Sequence, residues 1–452
     1  MARLLSPEDF GILSLAQIFS LMISMVMEMG LSSALIQRKE LALSETNTVF
    51  TLNLILVGAL TIVLFIVAPW IAAFYKTAQL STAIRLICIQ LFFNGVAVVP
   101  MALMYREMKF KQIMIATSIC ASVASLIAVI MAFNGWGYYA LVMQGSISAF
   151  LLYFFYLKLS GYKPAMNFHF RESKDLFSFS YKIFLSTILN QVFQKVDVLI
   201  FGKMYSMAKI GYFNRAVSLD SIIRSFSSSS ILNVLLPQIS KIQHQPEKIR
   251  QLYLKVLHLL CFLFFLLGSV IFLNASYIIS ILFGPKWNES ALLLQLMLLS
   301  TFAYPVSSLM LSIIEGSGHA GLFLRLEVVK KILMLPFLVL PFFVPLEKYL
   351  LSLGLLSYLG VLVNAVGVKK VIDIGVGESM KIVVYYNILA VISVGSSYIL
   401  MSYLNYSRWS ELIIGAAVVA LIYMGLNKIF RTQGFSFAYN ELMLRMVKRS
   451  TI

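Results

Sequence analysis

The stretch that decides the fold comprises two consecutive apolar segments, SKDLFSFSYKIFLSTILNQVFQKVDVLIFGKM (173–204) and IGYFNRAVSLDSIIRSFSSSSILNVLLP (210–237). Each is long enough to cross a bilayer as a helix, which takes about 20 residues at a rise of about 1.5 Å each. Both nevertheless contain ionisable residues, and each such residue costs roughly 2.5–3.5 kcal/mol at bilayer depth. Charged groups persist there when they face a polar cavity or a partner, so these residues are the first candidates for function.

The composition of the whole chain extends this pattern. Of its 452 residues, 60% are hydrophobic and 12% are charged, against about 25% charged in soluble domains. We therefore predict an all-α, polytopic membrane helical bundle with about thirteen transmembrane helices. The predicted spans lie near residues 11–33, 48–74, 80–104, 112–133, 138–157, 176–200, 210–237, 254–283, 289–313, 321–345, 349–368, 382–404 and 410–430.

The net charge of +17 is best explained by topology and not by a nucleic-acid partner. The basic residues concentrate in every second loop, as in the cluster Arg106, Lys109 and Lys111, whereas the intervening loops hold mostly single cations such as Lys76. Because cytoplasmic loops carry the excess of Lys and Arg, the C-terminus is predicted to be cytoplasmic. Met1 is then predicted to lie outside.

Catalytic and metal-binding patterns are not evident in the sequence. The three cysteines (Cys88, Cys120 and Cys261) lie in apolar spans without CxxC spacing, and the four histidines are scattered. The sequence also lacks a Gly-rich phosphate loop and a nucleophile constellation. We therefore expect no metal, no cofactor and no enzymatic activity.

An internal repeat relates the first span to the segment at 204–216. LLSPEDFGILSLA (4–16) aligns with MYSMAKIGYFNRA (204–216) at a constant offset of 200 residues, pairing Ser6 with Ser206, Gly11 with Gly211 and Ala16 with Ala216. Many transporters are built from such repeats. A full span precedes Gly202 in the second copy but not Ala2 in the first, so about fourteen helices are expected, of which the first is missing.

Three segments resemble the polysaccharide-exporter, Wzx-like branch of the multidrug/oligosaccharidyl-lipid/polysaccharide flippase superfamily, which includes colanic acid and teichuronic acid exporters. They are ARLLSPEDFGILSLAQIF (2–19), MGLSSALIQRKEL (29–41) and VDVLIFGKMYSMAKIGYFNRA (196–216). The resemblance implies two pseudo-repeated six-helix lobes about a central cavity, and two further helices. We expect an N-terminal lobe at 1–164, a C-terminal lobe at 165–372, and two extra helices with a cytoplasmic tail at 373–452.

The function that this resemblance implies is the outward movement of undecaprenyl-diphosphate-linked oligosaccharide by alternating access in the bacterial inner membrane. The implied partners are that lipid-linked glycan, membrane lipids, and polysaccharide polymerase and export machinery. Such a substrate requires cations inside a water-accessible cleft, because phosphate is prohibitively costly in hydrocarbon. The candidate substrate-binding residues are Lys182, Arg215, Arg224, Lys195, Asn190, Gln191, Asn214 and Arg85, and the candidates for ion coupling or charge compensation are Asp197 and Asp220.

Each candidate also has a structural interpretation. Arg224 follows Asp220 by four residues, so the two can pair within one helix. Lys195 points roughly 140° away from Lys182 around the helix and can pair with a neighbouring element. Arg215 and Arg85 lie near the outer ends of their spans and can snorkel to the interface. Lys330 and Lys331 stand at a helix entrance and are most simply anchors.

Two other functions compete with the flippase. A cation-coupled multidrug antiporter of the same superfamily would favour acidic residues in its cavity, whereas the spans of this chain carry more cations. A membrane glycan polymerase, ligase or acyltransferase would carry a large external loop or an intramembrane histidine for chemistry. The predicted external loops are short, and His258 stands alone near a cytoplasmic end.

Overall fold

The computed structural model describes residues 1–28, 35–36, 43–166, 196–403 and 408–440. Within these ranges the chain forms α-helices and short 3-10 helices, which confirms the all-α prediction. The α-helices are α1 (Pro7–Glu28), α2 (Leu43–Phe74), α3 (Gln79–Val96), α4 (Val98–Arg106), α5 (Phe110–Phe133), α6 (Tyr138–Ser160), α7 (Met207–Lys241), α8 (Pro246–Leu282), α9 (Glu289–Gly316), α10 (Ala320–Met334), α11 (Leu346–Ile372), α12 (Val376–Ser402) and α13 (Arg408–Ile429).

Nine helices in the described part of the chain are long and apolar enough to cross a membrane, counting α3 and α4 as one. Each coincides with a predicted span. Much of their apolar surface faces outward, as for Ile62, Phe65 and Ile66 of α2. Outward-facing apolar side chains on long helices are what a lipid environment requires. The chain is therefore a multi-pass membrane protein.

The other predicted spans are helical where they are described, with one correction. α1 and α7 cover the predicted spans 11–33 and 210–237, whereas the span 176–200 lies outside the described residues except at its helical end. The predicted continuous span 321–345 is wrong. It consists of α10 followed by a 3-10 helix, Leu335–Phe342. Pro336 and Pro341 lack the N–H group that an α-helix needs at those positions, so the α-helix ends at Met334.

The chain divides into two compact units, Met1–Asn214 and Arg215–Ile452. In the first unit, a buried cluster that includes Val49, Phe50 and Val99 joins α2, α3 and α4. In the second unit, a larger cluster joins α8, α9, α11, α12 and α13 around residues such as Phe265 and Met310. Cys88, Cys120 and Cys261 are buried and unoxidised.

The internal repeat is visible at the starts of α1 and α7, which begin 200 residues apart. Ser6 caps α1 by accepting a hydrogen bond from the Asp9 backbone N–H at 3.2 Å, and Asp9 Oδ2 accepts the Ser6 N–H at 2.9 Å. Ser206 caps α7 in the same way, accepting the Lys209 N–H at 3.3 Å. This reciprocal arrangement is a capping box, complete in the first copy and half-formed in the second.

The two copies also meet at their paired glycines within the first unit. A Cβ atom on Gly11 would clash with the Met207 carbonyl, and one on Gly211 would clash with the Pro7 carbonyl. Because the obstructing atoms belong to backbone, neither clash can be relieved by a side-chain rotation. The absence of a side chain at both positions lets the two helix starts cross in close contact.

We predict that Gly211→Ala lowers stability by about 1–3 kcal/mol, the usual range for overpacking a tight contact. The matched control is Gly58→Ala, since an added Cβ at Gly58 has no heavy atom within 4 Å. Thermal unfolding of both variants in detergent, followed by size-exclusion chromatography, measures the difference. Equal melting temperatures for the two variants would contradict the close crossing.

Candidate functional site

The candidate site of the second unit starts from two charged residues on one face of α7. Asp220 and Arg224 are four residues apart, which brings their side chains together on a helix. Arg224 Nε donates to Asp220 Oδ2 at 2.6 Å. Asp220 is only 3% exposed, and a buried carboxylate needs a cation and hydrogen-bond donors to remain ionised.

α9 supplies the remaining partners of this pair. The Nη2 atom of Arg224 donates to the Ser300 hydroxyl at 2.9 Å and to the Thr301 hydroxyl at 3.2 Å. Thr301 in turn donates to the second oxygen of Asp220. The guanidinium also lies 5.5 Å from the centre of the Tyr304 ring, within the range of a cation–π interaction. These contacts hold Arg224 in one orientation against α9.

A second cation, Lys330, comes from α10. Its ammonium group lies 2.5 Å from Glu327 Oε1, one turn earlier on the same helix. The alkyl chain of Lys330 passes 3.5 Å from the position that a Cβ would occupy at Gly360 of α11. An ammonium group has three donors, so the bond to Glu327 leaves donors for a further anionic partner.

Arg224 and Lys330 line the same cavity, which has a volume of about 340 Å³. Between them lie hydroxyl groups from α9 and α11. The Ser307 hydroxyl accepts a hydrogen bond from the buried Asn364 amide at 2.7 Å, and Ser357 bonds to its own helix. The lining residues are Arg224, Ser300, Ala303, Tyr304, Ser307, Lys330, Leu333, Met334, Leu353, Leu356, Ser357 and Gly360.

This arrangement suits an anion with several oxygens. A guanidinium forks toward such oxygens, and an ammonium acts as a point charge. Each cation is balanced by one carboxylate, so the empty cavity carries little net charge. We refer to these residues as the Arg224–Lys330 pocket.

Other predicted residues in the described ranges have different surroundings. Arg215 is half-buried, with its guanidinium 5.6 Å from the Phe283 ring and 5.9 Å from the Trp287 ring. It is not among the residues that line the Arg224–Lys330 pocket. Arg85 is exposed on the first unit, 4.9 Å from the ring of Phe65. An exposed Arg over an exposed Phe is the arrangement expected of a snorkelling side chain.

The remaining predicted residues are Asp197 and Asn214 of the first unit and four residues of the preceding segment. Asp197 and Asn214 are half-buried, and Asp197 Oδ1 accepts the Val198 N–H at 2.8 Å. Their roles stay predictions. Lys182, Asn190, Gln191 and Lys195 lie outside the described residues.

The sequence favours an anchoring role for Lys330, and the structure adds that this residue lines the pocket. Lys330 follows Glu327 by three residues, which indicates an ion pair within one helix. The sequence does not indicate which residues of neighbouring helices lie beside that pair. The hydroxyl groups of Ser300, Thr301 and Ser307 were missed for the same reason. Their clustering in an apolar helix was the available signal. The structure shows no group of three potential metal-ligating residues in the ranges it describes.

We predict that Thr301→Val destabilises the protein by about 1–3 kcal/mol, because the buried Asp220 carboxylate loses a hydrogen-bond donor. Ser312→Ala is the matched control on α9, since the buried Ser312 hydroxyl bonds only to the Ser308 carbonyl of its own helix at 2.8 Å. Melting temperatures in detergent report the effect. A loss no larger in Thr301→Val than in Ser312→Ala would contradict the bridging role of Thr301.

Comparison with known families supports the resemblance seen in the sequence. The family model described as "Polysaccharide biosynthesis protein" matches residues 1–292, which is more than half of the chain. An uncharacterized membrane protein in the cps region of Klebsiella pneumoniae is 27% identical over 347 residues, covering 75% of this chain and 70% of that protein. The lipopolysaccharide biosynthesis protein WzxC of Escherichia coli is 24% identical over 360 residues, with coverage of 75% and 70%.

Among solved structures, the lipid II flippase MurJ in an inward closed conformation has a similar fold. The TM-score is 0.67 at 13% sequence identity, and the match covers 97% of this chain and 94% of that one. At this level of identity the likeness concerns the fold alone. The family match over residues 1–292, and not this likeness, shows the family of the chain. The chain belongs to the polysaccharide biosynthesis protein family of multi-pass membrane proteins.

Proposed function

We propose that this protein is a flippase that moves undecaprenyl-diphosphate-linked oligosaccharide across the bacterial inner membrane by alternating access. The product would enter surface polysaccharide: exopolysaccharide, O-antigen or capsule. The observation that carries the proposal is the Arg224–Lys330 pocket, which presents two cations between helices of a member of a polysaccharide biosynthesis protein family.

The physical argument concerns the diphosphate. Its negative charge is the part of the substrate that an apolar core excludes most strongly, because an isolated ion in hydrocarbon loses its hydration. Arg224 and Lys330 replace water as partners of the phosphate oxygens, and charge-assisted hydrogen bonds are roughly twice as strong as neutral ones. The diphosphate is common to all such lipids, so this pocket recognises the carrier and not the glycan.

In this proposal, Asp220 and Glu327 are the counter-ions of the two cations. While no substrate is bound, they neutralise Arg224 and Lys330, which would otherwise be costly in the membrane. A diphosphate competes for the same donors when it enters. Displacing Asp220 from Arg224 would leave a buried carboxylate uncompensated, which costs several kcal/mol, so the exchange requires that this carboxylate gain another partner. Coupling of transport to a cation at Asp220 or Asp197 is compatible with this exchange.

The family architecture supplies the rest of the proposal. The lobes at 1–164 and 165–372 rock against each other, the helices at 373–452 are additional, and the C-terminus is cytoplasmic. Polysaccharide polymerase and export machinery receive the flipped product. Lys182, Lys195, Asn190 and Gln191 remain proposed substrate ligands, together with Arg215, Asn214 and Arg85.

The main competing function is a cation-coupled drug antiporter. A site for cationic drugs needs an acidic group that is available to the drug. Asp220 is buried, and its two carboxylate oxygens are hydrogen-bonded to Arg224 and Thr301. The carboxylate is therefore not available to a cationic drug. The Arg224–Lys330 pocket therefore favours an anionic substrate. The polymerase or ligase alternative has no pocket with catalytic groups to support it among the described residues.

We predict that Arg224→Ala combined with Lys330→Ala reduces export of surface glycan at least about tenfold, since bonds to charged groups contribute about 1.5–3 kcal/mol each. The assay measures surface glycan in a bacterial strain that lacks its own flippase. Lys331→Ala is the matched control, because it removes the neighbouring positive charge on α10 without changing the pocket. Export that survives the double substitution at equal protein level would refute the pocket.

A binding measurement separates recognition of the diphosphate from glycan specificity. Farnesyl diphosphate is expected to raise the melting temperature of the purified protein, whereas farnesol, which shares only the lipid chain, is not. The double substitution should abolish the difference. Ethidium efflux by the intact protein, without stabilisation by farnesyl diphosphate, would instead favour the antiporter.

The proposed orientation predicts which ends of the last helices face outward. In spheroplasts, Ser402→Cys at the end of α12 should react with a membrane-impermeant maleimide. Gln433→Cys, in the segment that follows α13, should react only after permeabilisation. Native cysteines contribute little background because all three are buried. The reverse pattern would place the C-terminus outside.

A further inference from the structure

A second cavity of the second unit, larger than the Arg224–Lys330 pocket, lies near the ends of α8 and α12 and the start of α13. Its volume is about 620 Å³, inside the range of about 300–1,000 Å³ that small-molecule sites occupy. In the proposed orientation these helix ends are at the outer face of the membrane. The residues that carry the argument are Asn274, Gln295, Glu411, Tyr277 and Tyr398.

The polar groups of this cavity include two carboxamides that are held in fixed positions. Asn274, which is buried, donates from its amide nitrogen to the Val270 carbonyl at 2.8 Å. Gln295 donates to the Phe272 carbonyl at 2.9 Å. Since each amide nitrogen is tied to backbone, each carboxamide is held in one orientation. The half-buried Glu411 adds a carboxylate.

Gly415 packs closely against one of these carboxamides. A Cβ atom on Gly415 would lie 2.7 Å from Asn274 Oδ1, so a larger residue there would displace the carboxamide. The aromatic rings of Tyr277 and Tyr398 complete the lining, and Tyr398 is 70% exposed. Flat rings beside fixed polar groups offer both an apolar surface and specific hydrogen bonds.

The chemistry of this cavity differs from that of the Arg224–Lys330 pocket. Among the lining residues that the structure describes, none is Lys or Arg and Glu411 is the charged one. Sugars without acidic groups fit better, because their hydroxyl groups donate to carboxamide and carboxylate oxygens. The apolar faces of their rings pack on tyrosine.

We propose that this cavity binds the non-acidic sugar residues of a glycan, at a site separate from the one that holds the diphosphate. The proposal rests on the proposed function only for the source of the glycan. The binding itself requires neither lipid nor phosphate. A bound glycan at this position would be held at the outer side, away from the Arg224–Lys330 pocket, and the two sites would recognise different parts of one amphiphilic substrate.

Saturation-transfer difference NMR tests this site with the full chain in lipid nanodiscs. The probes are cellotriose, maltotriose and chitotriose, with trigalacturonic acid as the acidic comparison. We expect at least one neutral probe to give a signal and the acidic one to give less. Gly395→Phe should reduce that signal at least about fivefold, because Gly395 lines the cavity with open space beside it.

Gly425→Phe is the matched control, since Gly425 on α13 also has open space but does not line the cavity. Its signal should equal that of the unmodified protein. Glu411→Ala removes an acceptor without adding bulk and should also weaken the signal. The proposal is overturned if none of the neutral probes gives a signal, if Gly395→Phe leaves the signal intact, or if glycerophosphocholine displaces the sugar.

Because these probes carry no phosphate, their binding is independent of the Arg224–Lys330 pocket. Sugar binding by a protein that, unmodified, restores no export in the strain lacking its own flippase would contradict the proposed function and leave this site standing. If the Arg224→Ala and Lys330→Ala double variant loses export and no sugar binds, the proposed function stands and this second site is refuted.

Discussion

The ion pair between Asp220 and Arg224 is the interaction on which the proposed site depends. A single charge between membrane helices costs several kcal/mol, and removing one partner of a buried pair leaves the other uncompensated. Asp220, one turn earlier on α7, neutralises the charge of Arg224. The hydroxyl groups of Ser300 and Thr301 extend the hydrogen-bond network to α9. The same logic recurs at Lys330, where Glu327 is the local counter-ion. A transporter that must present cations to an intermittent substrate needs such internal anions for the periods when no substrate is bound.

Close backbone contact is a second constraint, and it explains why the internal repeat is short and glycine-centred. Gly11 and Gly211 occupy equivalent positions in the repeat, and each faces the carbonyl of the residue that opens the other helix. The contact is reciprocal, so a change on one side would also disturb the other. Serine caps at both helix starts satisfy backbone donors that have no partner within the helix. The matching residues of the two copies are therefore those that the crossing geometry requires.

Much of the fold followed from the apolar runs, because the length of a membrane helix is dictated by bilayer thickness. The exception at 321–345 shows where that rule stops. Hydropathy alone does not reveal the change at Leu335, although Pro336 and Pro341 were visible in the sequence.

The site was predictable in part. Arg224 and Asp220 stood out as charges in an apolar helix, whereas the role of Lys330 depends on α11 and α9 packing beside α10. Contacts between residues more than 70 positions apart, such as Arg224 with Ser300, do not appear in helical periodicity.

The two cavities of the second unit offer different polar groups, cation–carboxylate pairs in one and carboxamides with a carboxylate in the other, and under the proposed function this difference bears on how a lipid-linked glycan is recognised. A diphosphate needs cations, but a cavity rich in cations would bind any passing anion and release its cargo slowly. A cavity with a carboxylate and carboxamides would exclude the diphosphate while accepting sugar hydroxyl groups. Placing the two chemistries apart allows the charged junction and the glycan to be recognised by separate weak contacts. Under the proposed function, two separate sites divide the binding of one substrate, so that neither site has to hold it with high affinity alone.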